Sequence, residues 1–214
     1  MTNDEGFAEA TLTPFICDNL ELPSILEDLA TVGATSVKLL TEEFRLDLRK
    51  TAVGYSYQPQ QEVVGRSNRL VYQQVSSLDY FSEETPFSQL RRAFQALLEQ
   101  RLAEVVPYPF ATSLHFNAMV LQKYEKGALG ITPHLDGKRY VNLVCIFVLE
   151  GEGKFYVCDN RAGDNPREID ATPGKVVFMR APGFRGMENN RPFHFVTNIS
   201  SDRYTLTLRQ NSRC

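Results

Sequence analysis

The sequence predicts a mainly β fold of the α+β class, in which N-terminal helices buttress a double-stranded β-helix, or jelly-roll, core. Two observations support this prediction. The first half of the chain contains one long amphipathic helix pattern, and from residue 111 onward short β-branched and aromatic runs alternate with turn residues. Many short strands after a long helix are typical of a twisted sandwich or barrel. With 214 residues and no composition break, we expect one domain over 1–214, with helical support and a substrate lid in 1–110 and the jelly-roll core in 111–214.

The N-terminal part contains the helical patterns. Residues 15–17 form a short apolar piece that fits a strand or an ordered arm, and Ser24 with Glu27 forms a capping box that predicts a short helix ending near Gly33. Residues 36–57 fit either strands or a helix. The clearest helix runs from Pro86 to about Val106, with an apolar stripe on one face and charged residues on the other. We expect this helix to pack on a sheet.

The C-terminal part contains six strand-like runs, separated by glycine, proline and asparagine turns. They are His115–Tyr124, Val141–Leu149, Lys154–Cys158, Lys175–Arg180, Phe193–Thr197 and Tyr204–Leu208.

Composition limits the class of protein. The net charge of -3 gives no overall attraction to polyanions, so nucleic-acid contact would need a local basic patch. No apolar run is long enough to cross a bilayer, and from the acidic first residues we expect no signal segment. The four cysteines, at positions 17, 145, 158 and 214, lack metal or disulfide spacing, and Cys145 is expected to be buried. We therefore expect a cytoplasmic protein with reduced thiols and no membrane partner.

Three polar residues in the core region have the character of metal ligands. His134 and Asp136 are two residues apart and share one face of an extended chain, with Leu135 turned into the packing behind them. A third ligand must come from elsewhere, and the chain contains only two other histidines, His115 and His194. Two histidines and one carboxylate with open positions are the ligand set of non-heme Fe(II) oxygenases.

The last strand-like run has one polar face. Alternation places Arg203, Thr205, Thr207 and Arg209 on one side and apolar residues on the other. A half-buried strand with a wet face explains this pattern. The alternative is a binding wall, because guanidinium groups hold carboxylates through paired charge-assisted hydrogen bonds. The two arginines lie roughly 20 Å apart along a straight strand, at about 3.3 Å per residue, so together they would approach opposite ends of one small diacid.

These residues resemble the 2-oxoglutarate- and Fe(II)-dependent oxygenase superfamily, and within it most the AlkB family. The superfamily pattern is His-x-Asp, a distal His and an Arg about ten residues later, which His134, Asp136, His194 and Arg203 match. The AlkB likeness adds the two-arginine strand Arg203-Tyr-Thr-Leu-Thr-Leu-Arg-Gln and the segment Tyr-Glu-Lys-Gly at 124–127. The match covers about residues 115–210.

The resemblance implies the cofactors and the residues that hold them. The two histidines and the aspartate of the motif would bind Fe(II), with three positions left for 2-oxoglutarate, the co-substrate, and O2. Tyr124 and Arg203, helped by Thr205, would hold the far carboxylate of 2-oxoglutarate, and Arg209 would lie at its iron-chelating end. Gln122 stands where the family often has Asn, as a further contact to the co-substrate. Decarboxylation to succinate would then drive oxidation of a substrate C–H bond.

Three functions remain open. One is hydroxylation of a small-molecule or amino-acid substrate. Another is AlkB-like demethylation of alkylated nucleobases in DNA or RNA, with the base flipped into the pocket. For that reaction, residues 54–59 resemble a nucleotide-recognition lid, and stacking and phosphate contacts would come from Tyr55, Tyr57, Arg66, Arg69 and Arg185. The third is a non-catalytic jelly-roll binding module. The sequence leaves the oligomeric state open.

Overall fold

The structure, a computed structural model, describes residues 20–213, which contain three α-helices and thirteen β-strands. The helices are α1 (Leu22–Thr31), α2 (Glu42–Val53) and α3 (Pro86–Leu102). The strands are β1 (Ala34–Lys38), β2 (Gln58–Pro59), β3 (Val63–Val64), β4 (Val71–Gln74), β5 (Ser76–Leu78), β6 (Ala118–Tyr124), β7 (Gly130–His134), β8 (Tyr140–Glu150), β9 (Lys154–Cys158), β10 (Arg167–Ile169), β11 (Lys175–Arg180), β12 (Phe193–Thr197) and β13 (Arg203–Asn211). None of these helices has the length and apolar character that crossing a bilayer requires. The apolar piece at 15–17, Cys17 and Cys214 lie outside the described residues.

The strands form two antiparallel sheets that pack face to face. The seven-stranded sheet has the order β1-β11-β8-β13-β6-β5-β2, and the six-stranded sheet has the order β10-β9-β12-β7-β4-β3. Each of the six predicted runs contains a strand, and the prediction of a mainly β, jelly-roll fold is confirmed. The N-terminal part is not only helical, because β1 joins the seven-stranded sheet and β4 joins the six-stranded one.

The molecule has three layers, the helices and the two sheets, and the side chains of strand β8 show how they are joined. Leu143, Cys145 and Phe147 point into an apolar cluster shared with the helices, whereas Val144 and Val148 point into a second cluster between the two sheets. Alternate side chains of a strand lie on opposite faces, so a strand buried on both sides is apolar throughout. The prediction that Cys145 is buried is confirmed. One face of the large sheet is therefore fixed to helices, and the other lines the interior of the jelly roll.

The helix boundaries follow local capping, with one correction. The side chain of Thr85 accepts a hydrogen bond from Ser88 N at the start of α3, as predicted, and α3 ends at Leu102, before the predicted Val106. The capping box predicted at Ser24 is wrong. Helix α1 begins at Leu22, ahead of Ser24, and no side chain caps it. Pro23 fits its first turn, where a backbone N–H lacks a helical partner in any case.

The ambiguous segment 36–57 contains one strand followed by one helix. Strand β1 pairs with β11, and Thr41 then caps α2 by accepting a hydrogen bond from Phe44 N. Phe44, Leu48 and Ala52 are buried at four-residue spacing, which places the apolar face of α2 on the core. Burial of these side chains in the core therefore determines which part of the segment is a strand and which part is a helix.

Candidate metal centre and co-substrate pocket

The three predicted metal ligands lie together at one end of the six-stranded sheet. Strands β7 and β12 are antiparallel neighbours that place His194 directly opposite His134, with ring centroids 4.2 Å apart. Strand β7 ends at His134, so Asp136 lies just beyond it, 4.0 Å from His194 Nε2 through Oδ1. The ligand atoms of all three side chains lie within 4.8 Å of one another. Leu135, predicted to be packed behind them, is only half-buried.

The backbone orients both imidazole rings. His134 Nδ1 lies 2.9 Å from the carbonyl oxygen of Thr132, and His194 Nδ1 lies 3.2 Å from that of Pro192. When Nδ1 carries the proton and donates it to a carbonyl, Nε2 keeps its lone pair, which is the usual support of a metal-binding histidine. Both rings can therefore present Nε2 to one ion.

The protonation states also suit a cation. Burial lowers the pKa of His134 and lowers that of His194 to about 3. Burial alone would raise the pKa of Asp136, but the positive charge of Arg209, together with the two histidines, lowers it to about 2. At neutral pH the cluster thus offers two neutral imidazoles and one carboxylate. These are the forms in which such residues bind metals.

The predicted co-substrate residues line the inner faces of β13 and β6. Arg203 lies opposite Tyr124 and Thr205 lies opposite Gln122 in the paired strands. Arg203, Tyr124 and Thr205 are each at most 3% exposed, and Gln122 is half-buried. Burial raises the pKa of Tyr124 to about 12, so its hydroxyl keeps its proton and can donate a hydrogen bond. Arg209 lies at the other end of β13, with Nε 3.4 Å from Asp136 Oδ2.

Several buried polar atoms on this inner wall have no hydrogen-bond partner among the described residues. They are Arg203 Nε, Thr207 Oγ1, Arg209 Nε and Asp136 Oδ2. The Arg209–Asp136 contact is an ion pair whose geometry is not that of a hydrogen bond. Buried polar groups are normally paired, and exceptions commonly mark a ligand site. A metal at Asp136 and a dicarboxylate reaching Arg203 fit these unpaired groups.

Three further residues lie at this site to which the sequence analysis gave no role in binding. Thr207 contributes its unpaired hydroxyl, Tyr140 lies under Arg209 with its ring centroid 4.7 Å from the guanidinium carbon, and Arg191 donates a hydrogen bond to the backbone carbonyl of Asp136. The alternation of β13 already placed Thr207 on the polar face. Arg191 stands three positions before His194, but nothing in the sequence indicated its contact with Asp136.

The residues expected to bind a nucleobase lie elsewhere. Tyr55 packs edge-on against Phe81, and the Tyr57 hydroxyl donates a hydrogen bond to the carbonyl of Ala52. Both tyrosines pack against the helix-side cluster, on the face of the large sheet opposite to the metal ligands, so the prediction that they stack on a base is wrong. Arg185 pairs with Glu27 of α1 at 3.5 Å. These side chains support the helical layer.

The other two predicted contacts, Arg66 and Arg69, lie at the metal end of the sheet. Strand β4 runs antiparallel to β7, and Tyr72 N donates a hydrogen bond to Thr132 Oγ1. The residues before Tyr72 therefore extend alongside the end of β7, towards His134. Arg66 and Arg69 are exposed at the tip of this β3–β4 hairpin.

A cavity of about 390 Å³ adjoins the inner wall. Its lining includes Val120, Arg139, Tyr140, Thr207 and Arg209. Arg209 links the cavity to the candidate metal centre, because it lines the cavity and also contacts Asp136. Its volume suits a small substrate or one side chain of a larger one.

Comparison with known proteins shows similarity of structure only. No protein-family model matches the sequence, and no curated protein does. A prolyl-4-hydroxylase from Pseudomonas putida superposes with a TM-score of 0.63 at 14% identity, over 88% of this chain and 98% of the other. An oxidoreductase of the 2OG-Fe(II) oxygenase family from Burkholderia pseudomallei gives 0.60 at 12% identity, over 92% and 93% of the two chains. OsALKBH1 gives 0.56 at 16% identity, over 83% and 98%. The chain therefore has the fold of the 2-oxoglutarate- and Fe(II)-dependent oxygenases, as the sequence resemblance implied.

Proposed function

We propose that this protein is an Fe(II)- and 2-oxoglutarate-dependent dioxygenase that hydroxylates a C–H bond of a small-molecule or amino-acid substrate. One observation carries the proposal. The cluster of His134, Asp136 and His194 stands at one end of a wall of unpaired polar groups, and the buried Arg203 stands at the other end. A dicarboxylate that chelates the metal at one end and reaches Arg203 at the other would supply partners for the polar groups at both ends of this wall.

Each residue of the site has a separate task in this proposal. The triad holds Fe(II), Arg203 and Tyr124 bind the far carboxylate of 2-oxoglutarate with Thr205, and Gln122 contacts its chain. Arg209 fixes the carboxylate of Asp136 and neutralises charge at the chelating end. The bound iron and co-substrate supply the oxidation, in which O2 and 2-oxoglutarate become succinate, CO2 and the oxygen atom inserted into the substrate C–H bond. The protein itself orients the substrate and keeps water away from the buried wall.

A spectroscopic experiment tests the metal assignment. Anaerobic addition of Fe(II) and 2-oxoglutarate should produce a visible charge-transfer band, which His134→Ala and Asp136→Ala should abolish. His115→Ala is the matched control, because His115 is exposed and outside the cluster, and it should keep the band. If the band persists in both ligand variants, the metal centre is elsewhere. If the wild type gives no band, the proposed function is wrong.

A second candidate is AlkB-like oxidative demethylation of a nucleobase. The fold shared with OsALKBH1 and the exposed Arg66 and Arg69 at the metal end favour it, whereas the packing of the half-buried Tyr55 and Tyr57 against the helical layer disfavours it. Succinate release should be measured with a panel of amino acids and metabolites and with methylated oligonucleotides. Formaldehyde release from the oligonucleotides would establish demethylation, and turnover of the first panel alone would establish hydroxylation. A protein that releases no succinate with either panel and binds no 2-oxoglutarate would be a binding module.

A further inference from the structure

The segments around the candidate metal centre all leave the same end of the six-stranded sheet. Strand β9 ends at Cys158, which lies opposite Phe193, the first residue of β12. Strand β7 ends at His134, opposite His194. The chain beyond Cys158, the chain before Phe193 and the chain beyond His134 therefore lie next to the metal ligands at one end of the sheet, which we call the mouth. The tip of the β3–β4 hairpin lies at this end as well.

Each of these segments brings a basic residue to the mouth. Arg161 follows the end of β9 by three residues, Arg191 precedes β12 by two, and Lys138 follows Asp136 by two. Arg69 lies on the hairpin tip. Basic residues thus lie on every segment at the mouth, in a chain whose net charge is -3.

Two of these arginines are held in place and yet carry unpaired nitrogens. Arg191 donates to the backbone carbonyl of Asp136, and the guanidinium carbon of Arg161 lies 5.7 Å from the centre of the Phe193 ring. Arg161 Nη1 and Arg191 Nε are nevertheless buried without a hydrogen-bond partner among residues 20–213. Burial of an unpaired guanidinium N–H is costly, and a ligand that accepts from it removes the cost. Arginines that are exposed on a solvated surface do not have buried, unpaired N–H groups of this kind.

The charge balance near the triad points to the sign of that ligand. Arg209 Nε lies 3.4 Å from Asp136 Oδ2, and Arg191 donates a hydrogen bond to the backbone carbonyl of the same residue. Fe(II) and the dianion of 2-oxoglutarate neutralise each other. Arg209 is then the partner of Asp136, whereas the buried, unpaired N–H groups of Arg161 and Arg191 still need an acceptor, and an anion is the acceptor that a guanidinium group binds most strongly.

We propose that Arg161 and Arg191 form an anion-binding pair at the mouth, and that the substrate presents a carboxylate or phosphate group to this pair. The inference rests on the proposed function and narrows its substrate to anionic molecules. Guanidinium groups bind either anion through directed, charge-assisted hydrogen bonds. Anchoring the anion on one side of the opening fixes which neighbouring C–H bond reaches the iron.

Three small probes with the same ring test this site on the wild-type protein. The anaerobic Fe(II) and 2-oxoglutarate complex is titrated with phenyl phosphate, benzoate and benzamide by calorimetry. We expect both anions to bind at least about tenfold more tightly than the neutral amide, with affinities that fall as salt is raised. Tighter binding of phenyl phosphate assigns a phosphate-bearing substrate, and tighter binding of benzoate assigns a carboxylate. Equal binding of the anions and benzamide overturns the inference.

Variants locate the binding to the two arginines. Arg161→Gln should weaken binding of the anions by about tenfold or more, and Arg161→Lys should restore part of it, because it keeps the charge. Arg191→Lys keeps the charge but loses the planar geometry, so we expect a smaller loss. Arg185→Gln is the matched control, since Arg185 also lies near a phenylalanine ring, at 5.5 Å from that of Phe184, but pairs with Glu27.

The two hypotheses fail in different ways. Absence of the visible band in the wild type refutes the proposed function before any probe is added. A normal band together with anion binding that Arg161→Gln and Arg191→Lys leave unchanged refutes the anion-binding pair alone.

Discussion

Replacing Arg203 with methionine should separate co-substrate binding from folding. Arg203 is 2% exposed, and its Nη1 donates to the backbone carbonyls of Gly151 and Ala171 at 3.3 and 3.0 Å. No acidic side chain of the described residues pairs with it, and burial lowers its pKa to about 10. The unliganded protein therefore contains a buried positive charge without a counter-ion. We expect 2-oxoglutarate to supply that counter-ion.

We expect Arg203→Met to change the affinity for 2-oxoglutarate much more than the stability of the fold. Two charge-assisted hydrogen bonds contribute about 1.5–3 kcal/mol each, so their loss should weaken 2-oxoglutarate binding by about 10²- to 10⁴-fold. The folded variant loses the two hydrogen bonds to backbone carbonyl groups, but its folding no longer buries a charge. Methionine also retains most of the apolar contact of the arginine side chain. These changes oppose each other. The free energy of unfolding of Arg203→Met should therefore stay within about 2 kcal/mol of the wild type.

Thermal unfolding with and without 2-oxoglutarate, in the presence of Fe(II) and without O2, measures both effects. Ligand at 100 times its Kd stabilises the folded state by about 2.7 kcal/mol, which raises Tm by roughly 5–11 °C for a chain of this size. Arg203→Met should show no such shift. The control is Arg45→Met, because Arg45 is also buried and donates to a backbone carbonyl but is neutralised by Glu42 and Glu150. It should lose stability and keep the ligand-induced shift. A full shift in Arg203→Met would refute the role of Arg203.

Three other outcomes follow from the structure. Without metal, Tm should fall as the pH drops from 6.5 towards 3. Burial lowers the pKa of His194 to about 3, so in this range the unfolded chain binds a proton that the folded chain excludes. His194→Gln should make Tm depend less steeply on pH in the same range. Gly153→Ala should raise the Kd for 2-oxoglutarate about tenfold with unchanged circular dichroism, since a Cβ there lies 2.7 Å from Ile199 Cδ1 and 3.1 Å from Arg203 Cδ. Phe94→Ala should lose about 3–5 kcal/mol of unfolding free energy in denaturant titrations without a change in that Kd.

Features decided by local chemistry could be predicted from the sequence. Thr85 and Pro86 define the start of α3, and the apolar stripe behind them defines its buried face. The alternation in β13 separates Arg203 and Arg209 from the apolar side chains. His134 and Asp136 share a face because they are two positions apart in an extended chain. In each case the relevant residues are close in sequence, so backbone periodicity is sufficient.

Features that depend on distant partners could not be predicted. Arg161 and Arg191 come to the same mouth only because β9, β12 and β7 are neighbours in one sheet. Tyr55 and Tyr57 belong to a segment that resembles a recognition lid, yet the apolar surface of the helical layer holds them. Two-residue strands such as β2 and β3 have no periodicity of their own and exist only through their pairing partners.

The two faces of β13 explain how the protein tolerates so many unpaired polar groups. Tyr204, Leu206 and Leu208 on the outer face are buried against the helices, so the strand cannot shift to let the inner side chains pair with one another. Arg203 and Thr207 are therefore held apart, each with a buried atom that has no partner within residues 20–213, and the helix-side core must offset the resulting loss of stability. A ligand that joins the metal centre to Arg203 meets groups already in position and loses little free energy in ordering them. A substitution that destabilises the helical layer should consequently lower the affinity for 2-oxoglutarate only if it also allows strand β13 to move.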